Sequence, residues 1–489
     1  MISDMSDIKS SINQVIEEQN IPFEWSQIIF DELENIDIEF SDSRVDLSNK
    51  PFVTIDGKDA KDFDDAVLCE KNIEGFNLWV AIADVAEVVN KNSEIDKEAF
   101  KRGTSIYFPN TVVPMLPEKI SNNICSLVPN EKRNVLVCEI NFNMDAEINS
   151  YNFFEAIICS AHRFTYKEVL EYTKGDSEII NSLESLKILT NKLLKNRQKR
   201  SALEIESQEP SLIISDNGNL EKINLPKRLF SHQMIEESMI AANICAAKFI
   251  KKNIGFGIYR VHEEPDFIKV DNLKKFFSLK GYSSKALSNP IDQINSFIQH
   301  SAKAEEKKVL NVLILQSLKR AKYSTNEIGH FGLQLEEYSH FTSPIRRYPD
   351  LIAHRLIKDI LNKSKHENSK DFYDEALEEL SSLEKRAEIS SRQVIQQMIC
   401  HKLKNYIGDR FSTHVVGVAE FGLFCEIENY FISGLIHVSD LRKDRYIFDS
   451  QANILKGRRT GKTYRVGQSI KVQLINVSPE ERKITLIPK

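Results

Sequence analysis

The chain has 489 residues, of which 41% are hydrophobic and 28% are charged, and its formal net charge is −6. This length predicts about two to four domains, and the composition is ordinary for a globular protein. No apolar run approaches the roughly 18–20 residues of a membrane helix, and the polar, acidic N-terminus is unlike a secretory signal. We therefore expect neither membrane association nor export.

The cysteines and the charge distribution narrow the class further. Seven cysteines are scattered without a C-x-x-C pair, which argues against a disulfide framework or a structural zinc site and favours the reducing cytoplasm. Residues 408–489 contain 13 Lys and Arg against 9 Asp and Glu, so the rest of the chain is acidic. An acidic body with a basic C-terminal part is a modest indication of a polyanionic partner.

The N-terminal half is predicted to be mixed. Residues 1–50 favour a polar helix followed by an acidic extended stretch, which we interpret as a lead-in segment. From 51 to about 161, short runs rich in Val, Ile and Phe alternate with turns, as strands do. A helical pattern is predicted from 162 to about 200.

The C-terminal half is predicted to be helical and then all-β. A strand pair is expected around the turn Asn217–Gly218, and long helices follow at 226–253, about 300–323 and about 367–406. Between Tyr406 and Gly408 the helical pattern gives way to short alternating strands with glycine at the turns. That pattern fits a five-stranded OB barrel.

One acidic stretch, TIDGKDAKDFDDA at 54–66, demands a physical explanation because Asp56, Asp62, Asp64 and Asp65 lie within ten residues. Carboxylates held this close repel each other unless positive charge lies among them. With no His or Cys nearby, they are hard oxygen ligands that favour Mg²⁺ or Mn²⁺ over zinc. A solvated acidic loop is the alternative, which the apolar flanks FVTI and AVL make less favourable.

Two such ions would suit phosphodiester hydrolysis, since they activate a water and stabilise the leaving oxygen. That chemistry also requires a cation against the charge that develops on phosphorus. The segment FTSPIRRYP at 341–349 offers one.

TIDGKDAKDFDDAV together with HFTSPIRRYPDLIAHR resembles the paired signature of the ribonuclease II/ribonuclease R family of 3′→5′ exoribonucleases. RGTSIYFPNTVVPMLPEKISNNICSL (102–127) and MIEESMIAANICAAKFI (234–250) agree with it, and the wording is closer to the ribonuclease R form. The resemblance implies an α+β fold, in which an RNB catalytic domain at 51–406 has a mixed sheet surrounded by helices that enclose an RNA channel. An all-β S1-type OB domain is implied at 408–489.

The resemblance also implies roles for individual residues in the catalytic domain. The four aspartates would hold two Mg²⁺ ions, for which Mn²⁺ could substitute, and Arg346 would contact the scissile phosphate. Its neighbour Arg347 is interpreted as a surface or phosphate-tracking cation. Tyr107 would pack against the last base, and Glu236 or Glu237 would line the channel, with the choice between them left open.

In the S1-type domain the resemblance implies base stacking on Phe421, Phe424 and His437, beside a basic loop containing Arg458 and Arg459. Phe424 has barrel core as an equal alternative.

Two departures from the family pattern are visible. Ile205 stands where the family often has a phenylalanine that clamps the terminal base, and about fifty residues precede the first predicted strand. From the second departure we expect either a short form without the N-terminal cold-shock domains or a chain whose open reading frame starts late.

Taken together, these features predict a cytoplasmic, Mg²⁺-dependent, processive 3′–5′ exoribonuclease that releases nucleoside 5′-monophosphates. Its substrate would be single-stranded RNA with a free 3′ end, and degradation of structured RNA is left open. A single chain holds every part, so we expect a monomer, with a helicase or another RNA-decay protein as a candidate partner. The alternatives are a catalytically weak RNA-binding protein and a DNA exonuclease.

Overall fold

The computed structural model describes residues 6–205, 210–279, 281, 289–302, 307–364, 369–441, 444–449 and 454–489. The α-helices are α1 (Asp7–Glu18), α2 (Gln27–Glu34), α3 (Val85–Val88), α4 (Glu94–Arg102), α5 (Glu168–Glu171), α6 (Ser177–Lys199), α7 (Phe230–Ile254), α8 (Phe267–Leu279), α9 (Pro290–Ser301), α10 (Lys307–Ser317), α11 (Tyr348–Leu361) and α12 (Lys370–Lys404). The strands are β1 (Val45–Asp46), β2 (Val53–Asp56), β3 (Asp65–Lys71), β4 (Gly75–Ala83), β5 (Ile106–Phe108), β6 (Thr111–Val113), β7 (Lys132–Asn143), β8 (Ile148–Cys159), β9 (His162–Thr165), β10 (Ser211–Ile214), β11 (Leu220–Asn224), β12 (Tyr259–Val261), β13 (Lys322–Ser324), β14 (Arg410–Ala419), β15 (Gly422–Ile427), β16 (Ile432–His437), β17 (Tyr446–Asp449), β18 (Ile454–Gly457), β19 (Thr463–Arg465), β20 (Ser469–Ser478) and β21 (Lys483–Pro488).

The centre of the larger domain is a mixed seven-stranded sheet with the order β1-β8-β7-β4-β3-β2-β9. Its inner strands are antiparallel, whereas β1 runs parallel to β8 and β9 runs parallel to β2. Strand β4 is buried along nearly its whole length, as expected for a strand covered on both faces. Helices α6, α7 and α11 contribute apolar side chains to the same core. The predicted α+β fold is confirmed.

Four local predictions are wrong. Residues 162–165 form strand β9 and not helix, because they pair with β2. The helix predicted to reach about 323 ends at Ser317, since 322–324 pair with β12. The acidic extended stretch near the N-terminus begins with helix α2. Helices α8, α9 and α11 were not predicted, and α11 begins inside the segment expected to be irregular. In the first two cases pairing with a distant strand overrides a local helical pattern.

The C-terminal domain is a closed five-stranded barrel of β14-β15-β16-β21-β20, as the sequence predicts. A three-stranded sheet of β17, β18 and β19 is inserted between β16 and β20. Helix α12 ends at Lys404 and β14 begins at Arg410, so the boundary lies where the helical pattern stops.

The two domains share a hydrophobic cluster with α1 and with the β5–β6 hairpin. Ile106, Phe108 and Val113 of the hairpin belong to the same cluster as α12 and the barrel. Ser391 of α12 also donates a hydrogen bond to the carbonyl of Tyr107. The hairpin is therefore fixed on α12 before its exposed residue, Tyr107, meets any ligand.

A buried ion cluster joins α11 to the sheet. Asp84, Glu87 and Glu155 surround Arg44 and Lys358, with nitrogen–oxygen distances from 2.5 to 3.3 Å. Burial alone would raise the pKa of Asp84, but Lys358 and Arg44 outweigh it and hold the pKa below its usual value. Because α11 follows the arginine motif directly, this cluster helps to fix the motif on the sheet.

Among the described residues, no helix is long and apolar enough to span a bilayer.

We expect Asp84→Ala to lower the free energy of unfolding by about 3–5 kcal/mol, because it leaves two buried cations undercompensated. Urea unfolding followed by circular dichroism measures this loss. Glu94→Ala is the matched control, since it breaks only the exposed pair with Lys97 and should cost less than about 1 kcal/mol. Equal losses in the two variants would contradict a structural role for the buried cluster.

Candidate active site

Two neighbouring strands bring the predicted aspartates together. Asp56 is the last residue of β2 and Asp65 is the first residue of β3. Asp62 and Asp64 lie on the loop between these strands, and the main-chain carbonyl of Asp64 accepts a hydrogen bond from Ala83 of β4. The four carboxylates therefore lie at one end of the sheet, on the wall of one cavity.

The arginine motif closes over Asp64. That carboxylate is 4% exposed, and its Oδ1 accepts a 2.8 Å hydrogen bond from the main-chain N–H of Ile345. The Nε of Arg346 lies 3.5 Å from the other oxygen, and its Nη2 donates to the hydroxyl of Ser343 at 2.9 Å. Asp64 thus positions the loop that carries Arg346.

Tyr107 is tied to both the arginine loop and the aspartates. The carbonyl of Arg346 accepts hydrogen bonds from Ser105 N (3.0 Å) and Thr104 Oγ1 (2.9 Å), two and three residues before Tyr107. The Tyr107 hydroxyl in turn donates to Asp62 at 2.9 Å. Tyr107 remains 43% exposed and lines the cavity, so part of the residue is open to a ligand.

These groups face a cavity of about 380 Å³. Its polar wall also contains Tyr166, which precedes α5, and Glu236 of α7. The rest of that wall comes from the arginine motif and the residue before it: His340, Ser343, Arg346 and Arg347. An acidic end, an arginine and aromatic walls in one cavity suit a phosphorylated ligand that carries bases.

The aspartates repel each other in this enclosure. Burial, with a contribution from Asp62, raises the pKa of Asp56 to about 6. Burial, with a contribution from Asp56, raises the pKa of Asp65 to about 8, and burial also raises the pKa of Asp64 well above its usual value. Arg346 opposes all three shifts but does not cancel them.

The chemistry of this donor set fits a divalent cation. Oδ2 of Asp56 and Oδ2 of Asp65 are buried without a hydrogen-bond partner, which is costly unless a cation satisfies them. All four ligating groups would be carboxylate oxygens, as Mg²⁺ and Mn²⁺ prefer.

The second acidic cluster, Asp84, Glu87 and Glu155, does not fit a metal ion. Its three carboxylates lie close enough together to bind one, but Arg44 and Lys358 already occupy the space between them. A metal ion would have to displace both cations.

The structure separates the two candidate glutamates. Glu236 lines the cavity, whereas Glu237 does not and is only 3% exposed. Nη1 of Arg197 donates to both carboxylates, at 2.7 and 2.8 Å. Of the two candidates, Glu236 therefore borders the cavity, whereas Glu237 balances a buried arginine.

Arg347 departs from the first of its two interpretations, that of a surface cation, while the phosphate-tracking interpretation stays a prediction. It is not a surface cation, because its side chain is only 18% exposed and pairs with buried Asp350 at 2.7 Å. Asp350 additionally accepts a hydrogen bond from the N–H of Ser343. Arg347 reaches the cavity wall, but its charge is already balanced.

Tyr166 and His340 were not singled out as site residues, although both line the cavity. The Tyr166 ring stacks on His232 at 3.9 Å, and Nδ1 of His340 forms a hydrogen bond with Tyr323. The only sequence signals were their positions: Tyr166 directly follows strand β9, and His340 directly precedes the arginine segment at 341–349.

Ile205, at the presumed clamp position, does not line the cavity. It packs against the small core formed by α8, α9 and α10.

In the barrel, the three predicted stacking residues are all exposed. Phe421 is 49% and Phe424 is 38% exposed, with their rings edge to face at 5.9 Å, so Phe424 is not barrel core. His437 ends the strand β16 that pairs with β15 beside them. Arg458 and Arg459 lie on an exposed turn that Asp444 shapes by accepting hydrogen bonds from Arg459 N and Thr460 N.

Comparison with known proteins identifies both domains. Residues 44–363 match the RNB domain and residues 404–487 match the S1 RNA binding domain. The chain is 36% identical over 498 residues to ribonuclease R of Vibrio parahaemolyticus, covering 96% of this chain. It spans 59% of that relative's length.

Solved structures agree with this assignment. The apo form of Mycoplasma genitalium RNase R superposes with a TM-score of 0.93 at 31% identity, covering 99% of this chain and 78% of that one. The same enzyme in complex with ribose methylated single-stranded RNA has a TM-score of 0.93 at 30% identity, with the same coverage.

The raised pKa values predict how the free energy of unfolding depends on pH when a chelator removes divalent cations. Asp65 keeps its proton in the folded protein up to about pH 8 but loses it near 3.8 when unfolded. The folded state therefore binds more protons in this window, and its free energy of unfolding falls as pH rises from about 4 to 8. Asp65→Asn removes this penalty, so its stability advantage over wild type should grow between pH 5 and pH 8.

Urea unfolding at several pH values measures this difference. Adding Mn²⁺ at pH 8 should stabilise wild type more than Asp65→Asn. A stability difference that does not change with pH would contradict the raised pKa of Asp65.

Proposed function

Since the chain belongs to the ribonuclease R family of RNB-domain proteins, we propose that it hydrolyses RNA from the 3′ end to nucleoside 5′-monophosphates. The observation that carries this proposal is the single cavity in which undercompensated carboxylates, Arg346 and Tyr107 meet. The related M. genitalium RNase R, in complex with ribose methylated single-stranded RNA, supports single-stranded RNA as the substrate.

The cofactor we propose is Mg²⁺, as two ions held by Asp56, Asp62, Asp64 and Asp65, with Mn²⁺ as a substitute. When bound, the ions supply activation of the attacking water and neutralisation of the leaving oxygen. The partnerless oxygens of Asp56 and Asp65 support this assignment. So does the raised pKa of Asp56 and Asp65, because such carboxylates gain most from a cation.

Arg346 acts on the phosphate in this proposal. Its side chain is 41% exposed and borders the aspartates, so its guanidinium can approach the negative charge that develops during attack. The hydrogen bonds from Arg346 to Ser343 and from Ile345 to Asp64 hold it in this position before substrate arrives.

Tyr107 and Glu236 orient the strand. The exposed face of the Tyr107 ring stacks on the terminal base without reading its identity. Glu236, fixed by Arg197 and Arg228, presents a carboxylate along the cavity wall.

The S1 domain binds the strand before it reaches the cavity. The residues that bind it are Phe421, Phe424, His437, Arg458 and Arg459.

The proposal places the protein in the cytoplasm as a processive monomer. A catalytic domain at 51–406 and an RNA-binding domain at 408–489 carry out hydrolysis and capture, respectively. A helicase or another RNA-decay protein is the candidate partner.

We expect Asp64→Asn to abolish hydrolysis while it leaves RNA binding nearly unchanged. The asparagine oxygen can still accept the hydrogen bond from Ile345, but one carboxylate charge is lost. The rate should fall by about 100-fold or more. The measurement follows 5′-labelled single-stranded RNA in Mg²⁺ and in chelator, with DNA of the same sequence in parallel.

Asp59→Asn is the matched control, because Asp59 is exposed on the same loop and does not line the cavity. It should retain the wild-type rate. If wild type binds RNA but releases no mononucleotide in Mg²⁺, the protein is an RNA-binding protein and not a nuclease. Degradation of the DNA strand would exclude RNA selectivity.

Tyr107→Ala should weaken binding of the RNA 3′ end by roughly 5- to 150-fold, since one stacked base contributes about 1–3 kcal/mol. Tyr107→Phe keeps the ring and should retain most of the affinity. Both variants are best compared in the Asp64→Asn background, where RNA is bound but not cut. Equal affinities for the Ala and Phe variants would show that the terminal base stacks elsewhere.

A further inference from the structure

A buried serine that is not part of the loop between β2 and β3 fixes the main chain of this loop. Ser126 is fully buried, and its hydroxyl donates to the carbonyl of Lys61 at 2.7 Å. The same oxygen accepts a hydrogen bond from the N–H of Phe63 at 3.1 Å, and Leu127 N donates to the carbonyl of Phe63. One side chain thus fixes the main chain on both sides of Asp62.

Arg163, on β9, holds the other end of this loop. Its Nη2 donates to the carbonyls of Gly57 at 2.6 Å and Lys58 at 2.9 Å, directly after Asp56. The guanidinium also lies 5.5 Å from the ring centroid of Phe63. Arg163 does not line the cavity, although its charge also acts on the Asp56 carboxylate and opposes the rise in the pKa of that group.

The loop requires such support because of its charge. It begins and ends among carboxylates that repel each other, and it contains Gly57, whose backbone has more freedom than other residues. With the main chain fixed at residues 57, 58, 61 and 63, Asp56 and Asp62 keep their relative position without a cation. A site arranged in advance binds more tightly, because ligation costs less ordering.

We propose that Ser126 and Arg163 are positioning residues, which hold the loop between β2 and β3 in the conformation that binds a divalent cation. The proposal rests on the proposed metal centre and extends it to two residues outside the cavity. Neither side chain touches substrate, so their loss should change cation affinity and leave RNA affinity in chelator unchanged.

The test measures Mn²⁺ affinity by electron paramagnetic resonance for the full chain and its variants. Ser126→Ala should raise the Mn²⁺ dissociation constant by about 10-fold, the scale found for partners that orient metal ligands. Arg163→Met should also raise it, although by less, because this change removes a positive charge beside Asp56 that opposes cation binding. Arg163→Lys retains a donor and a charge near Gly57 and should recover part of the affinity. Hydrogen exchange in chelator should rise at residues 57–63 in Ser126→Ala.

Ser182→Ala is the matched control. Ser182 is a buried serine that accepts a hydrogen bond from Cys69 N of β3, away from the loop. It should lower stability without changing Mn²⁺ affinity. The Arg163 variants keep the test valid if Ser126→Ala does not fold.

The outcomes separate the two proposals. Wild-type Mn²⁺ affinity in Ser126→Ala and Arg163→Met would overturn the positioning role alone. An equal loss of affinity in Ser182→Ala would also overturn it, because general destabilisation would then explain the effect. If wild type and Asp64→Asn both fail to bind Mn²⁺, the metal centre and the positioning role fall together.

Discussion

Repulsion among buried carboxylates is the constraint on which the rest of the site depends. Asp56 and Asp65 occupy the ends of adjacent strands, and each keeps one buried oxygen without a hydrogen-bond partner. Such an arrangement is stable only when positive charge compensates it. Arg346 supplies part of that charge from 3.5 Å away from Asp64, and the partnerless oxygens remain available to a cation.

The two acidic clusters of the larger domain show how differently a fold can treat similar groups. Around Asp84, two cations lie among three carboxylates, and these ion pairs connect α11 to the sheet. At the end of β2 and β3, the carboxylates face a cavity and remain undercompensated. The first cluster stabilises the packing of α11, which follows the arginine motif, against the sheet. The second leaves carboxylate oxygens without hydrogen-bond partners, as the proposed ion site requires.

Sequence reasoning found what local motifs encode and missed what distant contacts decide. The aspartate stretch, Tyr107 and Arg346 were predicted from short patterns, and the structure brings them to one cavity. The burial of Glu237 and of Arg347 could not be predicted, because it depends on partners that their own motifs do not reveal. Ser126 was missed because a lone serine has no distinguishing pattern, although it contacts a loop 63 residues earlier in the chain. The same limit applies to β9, whose strand conformation follows from pairing with β2.

The most direct test of this account is anomalous X-ray diffraction from crystals of the protein soaked in Mn²⁺. The account predicts anomalous peaks among Asp56, Asp62, Asp64 and Asp65, with the oxygens of Asp56 and Asp65 that now lack partners among the ligands. It predicts no peak among Asp84, Glu87 and Glu155, where Arg44 and Lys358 already neutralise the charge. A peak at that second cluster, or none at the aspartates, would contradict the central claim.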